Sequence, residues 1–195
     1  MKKIILASNN EHKVREFRQM LPNYNISPME DIGFYDDIVE DGETFLDNAL
    51  IKARAVVEYI KGKHFDKDTI IVADDSGLCI NALGGAPGVH SARYAGDHTV
   101  EANRQKVLNE LKDKEDRSAY FVTVLAVMNL DGDYKFVEGK TYGDITPDVR
   151  GYAGFAYDPI FYSYELKKTF GEASAEEKNS VSHRARAIEE LKKIL

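Results

Sequence analysis

Two adjacent carboxylates, Asp74 and Asp75, follow the apolar run Ile70-Ile71-Val72-Ala73 and precede Ser76-Gly77. Ligands of α/β proteins gather at strand ends. A carboxylate buried there needs a metal ion or a cationic partner. Side chains alternate along a strand, so at most one of the pair faces a given site. The same residues also suit a polar turn that only reverses the chain. A second acidic stretch, Glu40-Asp41-Gly42-Glu43, stands just before Thr44-Phe45. Its acids suit a helix dipole. With one of the aspartates they also suit magnesium, which takes one or two carboxylates plus phosphate oxygens.

Three further stretches carry anion- or ring-binding chemistry. Ser8-Asn9-Asn10-Glu11-His12-Lys13 places small polar residues where a strand gives way to a helix. Backbone N–H groups at a helix start attract anions, and Lys13 can reach a phosphate as a point charge. The glycines of a Walker-type loop are missing, and read alone the stretch is an ordinary capped turn. The Gly- and aromatic-rich loop 152–161 offers Phe155, Tyr157 and Phe161, with Asp158 as acceptor. Its rings can stack on a base or pack in a core. Lys178 and the helix start Ser182-His183-Arg184 make another anion-friendly place. His183 has no Cys or His partner at zinc-ligand spacing. Cys79, flanked by apolar residues, is expected to be buried.

The elements that must hold these residues are legible in part. Residues 3–7 are an apolar run too short for a helix and predict a strand. Val14, Phe17, Met20 and Leu21 recur at helical spacing until Pro22 ends the helix. The stripe Phe45, Leu46, Ala49, Leu50, Ala53, Val56, Val57, Ile60 predicts the strongest helix, with Thr44 and Asp47 at capping-box spacing. Residues 69–73 predict a strand that runs into the Asp74-Asp75 turn. Thr99 can cap a third helix. Residues 119–130 and 134–137 predict two strands joined at Asp131-Gly132-Asp133, and 141–145 a further strand. Ser174 with Glu177, and Ser182, cap the closing helices. The sum is a mixed α/β fold.

The chain has 195 residues, 43% hydrophobic and 30% charged, with a net charge of −7. That suits a globular protein with a real core. The negative charge argues against extended nucleic-acid binding. It leaves room for a small anionic ligand. No apolar run reaches the roughly 20 residues a membrane helix needs. The apolar part of the N-terminus is too short for a signal peptide, and one cysteine excludes an internal disulfide. A cytoplasmic protein is expected. Residues 30–47 hold eight acids and no Lys or Arg, while 167–195 hold seven basic residues against five acids. These are either two solvated faces or a metal-binding edge and a phosphate-binding edge.

Taken together, and in order, these stretches resemble the inosine triphosphate pyrophosphatases (XTP/dITP diphosphatases). The resemblance runs from residue 4 to 187. It rests most on Ala73-Asp74-Asp75-Ser76-Gly77-Leu78 and on Leu83-Gly84-Gly85-Ala86-Pro87-Gly88-Val89-His90-Ser91-Ala92-Arg93-Tyr94. Thr44-Phe45 with Asn48-Ala49, Phe155 with Tyr157-Asp158-Pro159-Ile160-Phe161, and Lys178 with Ser182-His183-Arg184 add to it. It implies a single domain over 1–195 with a long mixed β-sheet and flanking helices, forming two lobes around a central cleft. It also implies Mg2+ as cofactor, a nucleoside triphosphate as substrate and a homodimer. Ser8, Asn10 and Lys13 match the triphosphate-binding turn. Asp75 matches the catalytic base and metal ligand, Glu40 the second metal position and Ser76 a substrate contact. Phe155, Tyr157 and Asp158 match the base-holding loop; Lys178, His183 and Arg184 match further substrate contacts. Asn9 in the turn, and Ala153 and Ala156 in the loop, stand where the family often has Gly. Asn9 and Ala156 are carried as substrate-binding positions all the same.

The activity so implied is Mg2+-dependent hydrolysis of deaminated purine triphosphates (ITP, dITP, XTP) to monophosphate and pyrophosphate. Asp75 or Asp74 would orient or deprotonate the water. Lys13 and Lys178 would stabilise the leaving pyrophosphate. Two other readings remain at this point: a purine-nucleotide-binding module without chemistry, and a metal-dependent phosphatase releasing inorganic phosphate.

Overall fold

The structure is a computed structural model and describes residues 2–96 and 99–195, so Met1, Asp97 and His98 lie outside it. In chain order the elements are strand β1 (Lys3–Leu6), helix α1 (Glu11–Met20), β2 (Asn25–Pro28), α2 (Phe45–Ile60), β3 (Ile70–Ile80) and α3 (Val100–Glu110). Then come β4 (Ser118–Met128), β5 (Tyr134–Ile145), β6 (Phe161–Ser163), β7 (Lys168–Thr169), α4 (Ala175–Val181) and α5 (His183–Lys192). One seven-stranded mixed sheet has the order β2-β1-β3-β4-β5-β6-β7. β1 pairs in parallel with β2 and β3, while β6 pairs antiparallel with β5 and β7. Among the described residues no helix is long and apolar enough to cross a membrane.

The chain divides into two compact units. The first comprises Met1–Asp75, Val124–Glu138 and Ala187–Leu195. Its sheet is covered on both faces, and strand alternation decides which residue goes where. Ile5 and Ala7 of β1 and Ile71 and Ala73 of β3 pack against Ala49, Leu50, Ala53, Val56 and Ile60 of α2. Ile4, Leu6 and Val72 pack against Val14 and Phe17 of α1 and Ala187, Ile188 and Leu191 of α5. The second unit comprises Ser76–Thr123 and Gly139–Arg186. Its core joins Leu78, Ile80, Val107, Leu111, Phe121, Ile145, Ile160, Phe161 and Phe170.

Three expectations change. β3 does not stop at Ala73: it runs through Asp74 and Asp75 to Ile80, so the aspartates lie within a strand and not in a turn. The two strands expected over 134–137 and 141–145 are one, β5. The glycine inside it, Gly143, is required because a Cβ there would collide with the Tyr162 carbonyl of β6. β2, β6 and β7 have no counterpart among the strands that the sequence predicts.

Candidate active site

The continuation of β3 assigns the two aspartates. Asp75 shares the parity of Ile71 and Ala73 and therefore faces α2. Asp74 shares the parity of Val72 and faces α1. The contacts follow that rule. Asp75 Oδ1 lies 3.2 Å from Lys52 Nζ of α2, and Asp75 Oδ2 accepts a 3.2 Å hydrogen bond from Asn48 Nδ2 of the same helix. Asp74 is ion-paired with Lys13 of α1. Both carboxylates are buried. Lys52 Nζ also donates to Glu40 Oε2 at 2.7 Å, so one ammonium joins Glu40 and Asp75.

Burial pushes the Asp75 carboxyl up to about 6; Lys52 and Lys13 pull it down, while Glu40 and Asp74 add to the rise. Burial alone would lower the Lys52 ammonium. The carboxylates of Asp75 and Glu40 outweigh it, and Lys52 stands above its ordinary value. Lys52 and Asn48 were not anticipated as site residues. The signal was present: both fall on the buried stripe of α2, four residues apart, beside Ala49 and Ala53. A Lys and an Asn on such a stripe demand buried partners. Gly42 N donates to Asn48 Oδ1 at 2.8 Å, which ties the acidic segment to the helix.

The N-terminal turn is largely occupied with itself. Asn10 Oδ1 caps α1, accepting from His12 N at 3.0 Å and Lys13 N at 3.2 Å. Ser8 Oγ accepts from Asn10 N at 3.1 Å. Asn9 Oδ1 accepts from Glu30 N at 2.8 Å, and its Nδ2 donates to the Phe34 carbonyl at 3.4 Å. Asn9 thus ties the turn to the segment after β2. Of this group Lys13 presents the charge.

In the second unit Asp158 organises the loop. Its Oδ2 accepts from Phe155 N at 2.6 Å and from Lys178 Nζ at 2.7 Å. Gly154, at φ +79°, leaves room for that carboxylate, which a Cβ would strike. Phe155 is 45% exposed, whereas Tyr157 is 2% exposed. The Tyr157 hydroxyl donates to the Ser91 carbonyl at 2.7 Å, and burial raises its pKa. Tyr157 therefore anchors the loop in the core. Ala156 takes φ +53°, the conformation that favours Gly. His183 is buried and stacks on Phe121 with centroids 4.7 Å apart. Arg184 Nη2 donates to Ser76 Oγ at 3.3 Å, and Ser76 Oγ shares a 2.8 Å hydrogen bond with Thr123 Oγ1. Thr123, fully buried, had no sequence signal. Ser182 Oγ caps α5 by accepting from Ala185 N at 3.1 Å.

Among the described residues no group of three or more His, Cys, Asp or Glu side chains gathers as a ready metal cage. Glu40 and Asp75 still fit Mg2+ by donor chemistry. They aim hard carboxylate oxygens at one cation, now the Lys52 ammonium, and Mg2+ completes its shell with water and phosphate. Zinc, which favours Cys and His, does not suit them.

The model of the Ham1 family matches residues 4–194. A protein named dITP/XTP pyrophosphatase from Clostridium perfringens is 45% identical, with 98% of this chain and 96% of that one aligned. One of the same name from Bacillus subtilis is 44% identical over 100% of this chain and 98% of its own. The solved structure of the Staphylococcus aureus Ham1 protein superposes with a TM-score of 0.87 at 39% identity, covering 99% of this chain and 97% of that one. The fold and these matches agree: the chain belongs to the Ham1 family.

Proposed function

We propose that the chain hydrolyses deaminated purine nucleoside triphosphates, dITP, XTP and ITP, to the monophosphate and pyrophosphate. The observation that carries this reading is the buried Asp75, lifted toward neutral pH and held by Lys52 and Asn48. A base with its pKa near the working pH is suited to take a proton from water. Water's oxygen joins the α-phosphorus, the bond to the α–β bridging oxygen breaks, pyrophosphate leaves, and the water proton passes to Asp75. Asp74 holds Lys13 where its charge can meet the phosphates. Glu40 and Asp75 would hold Mg2+; when bound, it neutralises charge on phosphate oxygens.

The second unit would hold the nucleoside. Phe155 stacks on the base, with Asp158 and Lys178 fixing the loop beside it. Arg184, steadied by Ser76, offers donors to the 6-oxo edge, and adenine's 6-amino group would leave them unpaired. The pairing of Lys178 with Asp158 favours this loop role over a direct one on the leaving group. Ser8, Asn9 and Asn10 would shape the turn that presents Lys13. Ala156 and Tyr157 would set the loop's path, and His183 would set the start of α5. The chain would act as one pyrophosphatase domain in the cytoplasm, and its net charge of −7 supports a small substrate over nucleic acid. A homodimer is proposed as well, supported by the exposed Tyr134 and Phe136 on one face of β5. Light scattering tests it.

The deciding experiment incubates the protein and Mg2+ with dITP, XTP, ITP, ATP or GTP and resolves the products. Monophosphate plus pyrophosphate, favoured for the deaminated purines, is the expected result. Release of inorganic phosphate, or nucleotide binding without turnover, overturns the reading.

A further inference from the structure

Lys52 is a buried ammonium with two carboxylate partners, and beyond holding Asp75 it has no role in the proposed reaction. Its Nζ stands 2.7 Å from Glu40 Oε2 and 3.2 Å from Asp75 Oδ1, and its side chain is 9% exposed. Those are the two oxygens assigned to the divalent cation. An ammonium and a divalent cation repel each other and compete for the same lone pairs. We propose that Lys52 is the resident counter-ion of the Glu40–Asp75 pair, which a divalent metal must displace, so that the nucleotide-free protein binds metal weakly. The inference rests on the reading of Glu40 and Asp75 as the metal ligands.

The design follows from the energetics of buried charge. Two carboxylates brought together on α2's side of β3 without a cation would repel and stay poorly solvated. A lysine supplied by the chain removes that penalty at all times. Lysine suits the task better than arginine, because a flexible four-carbon stem carries a compact charge that can swing without moving the helix. Asn48, one turn earlier, keeps its hydrogen bond to Asp75 Oδ2 and so holds the carboxylate in place while Lys52 leaves. The departing ammonium needs another anion, and a bound triphosphate supplies one. Metal and nucleotide are then coupled, each raising the other's affinity by the same factor.

The test needs no turnover. Mn2+ binding to the nucleotide-free protein is followed by the loss of its free-ion electron paramagnetic resonance signal. Lys52→Met, which keeps the stem and removes the charge, is expected to bind Mn2+ roughly tenfold or more tightly than wild type, the scale of ordinary coupling between sites. Lys52→Arg, which keeps a cation, is expected to show no gain. Adding Asp75→Asn to Lys52→Met should abolish the gain and place the metal on this pair. Saturating Mn2+ should also raise the melting temperature of Lys52→Met more than that of wild type, since metal binds only the folded state. If Lys52→Met does not fold, Lys52→Gln serves, because its amide can still donate to Glu40. A folded variant that binds Mn2+ no more tightly than wild type overturns the proposal. The metal reading itself fails on a different result: no Mn2+ bound by wild type even with α,β-methylene inosine triphosphate present.

Discussion

On the proposed function Asp75 carries two demands that pull against each other. Proton transfer asks for a carboxyl that titrates near neutrality, and burial provides it by raising the group from 3.8 to about 6. Metal binding asks for a carboxylate, which Lys52 and Asn48 stabilise. Asp75→Asn keeps the shape and removes the base, so turnover should fall roughly 10²–10⁴-fold, the usual worth of a general base. Nucleotide binding, measured by equilibrium dialysis, should persist; retained turnover would move the base to another residue. In the wild type kcat/KM should decline on the acid side, because a protonated Asp75 neither accepts a proton nor holds the metal; about 6 is the value of the metal-free carboxyl, and a bound cation moves the decline to lower pH. Ala156 poses a smaller problem of the same kind. At φ +53° an L-residue costs roughly 1–2 kcal/mol, while Gly loses about 0.4–1 kcal/mol through a freer unfolded chain. The strain is the larger, so Ala156→Gly should raise the unfolding free energy by up to about 1 kcal/mol in urea titration. A loss of stability would mean that the loop relies on the Ala156 methyl.

At the scale of elements, the site is made by which face each strand and helix presents. The Thr44–Asp47 capping box forms, and it starts α2 so that Asn48 and Lys52 reach Asp75. Gly42 lies just ahead of it, and a Cβ there would come within 2.6 Å of Asp47 Cβ and 2.7 Å of Asn48 Oδ1. Gly42→Ala must therefore shift either the Gly42 segment or the start of α2, and the Asn48 side chain that links Gly42 to Asp75 is disturbed in both cases. The expected result is a lower kcat with the α2 helix content intact by circular dichroism; unchanged kcat would show that Asn48 does not position the base. The long helices, and the strands that begin at Lys3 and Ile70, were legible because burial imposes periodicity. β2, β6 and β7 span 4, 3 and 2 residues and carry no readable period; their neighbours in the sheet define them. The aspartates suggested a turn because polar pairs usually end strands. Ion pairs to Lys13 and Lys52 keep them in β3 instead, and that tertiary pairing lies beyond local sequence. Once the strand is known to continue, parity alone separates the roles of Asp74 and Asp75. Residue types single out Asp74, Asp75 and Lys13 as candidates; Lys52 and Asn48 are marked only by lying on the buried stripe of α2, and Thr123, without any such mark, joins them through its hydrogen bond to Ser76.

For the whole molecule, these carboxyls shape stability against pH, and Asp75 acts in the opposite sense to the rest. Asp116, Asp148, Glu172 and Glu177 are held below their ordinary values, mainly by hydrogen bonds from Ser118, Arg150, Thr169 and Lys168. Their stabilisation is present above their unfolded values of 3.8 to 4.5 and is lost as pH falls through the lower folded values. Asp75 has a folded value near 6, above its ordinary 3.8. Between those two values the folded protein binds its proton more tightly than the unfolded chain does, so stability declines as pH rises through that window. From pH 5 to 7.5 the decline due to Asp75 alone is roughly 1.5 kcal/mol by linkage. Metal-free wild type and Asp75→Asn, unfolded in urea at both pH values, isolate this contribution, because the other carboxyls are common to both. The wild type should lose stability relative to Asp75→Asn on going to pH 7.5, and metal should restore it by binding only the folded state. A difference between the two proteins that stays constant with pH would mean that Lys52 and Lys13 already neutralise the burial of Asp75 in full. The carboxylate would then be an ordinary ion-pair member and not a poised base.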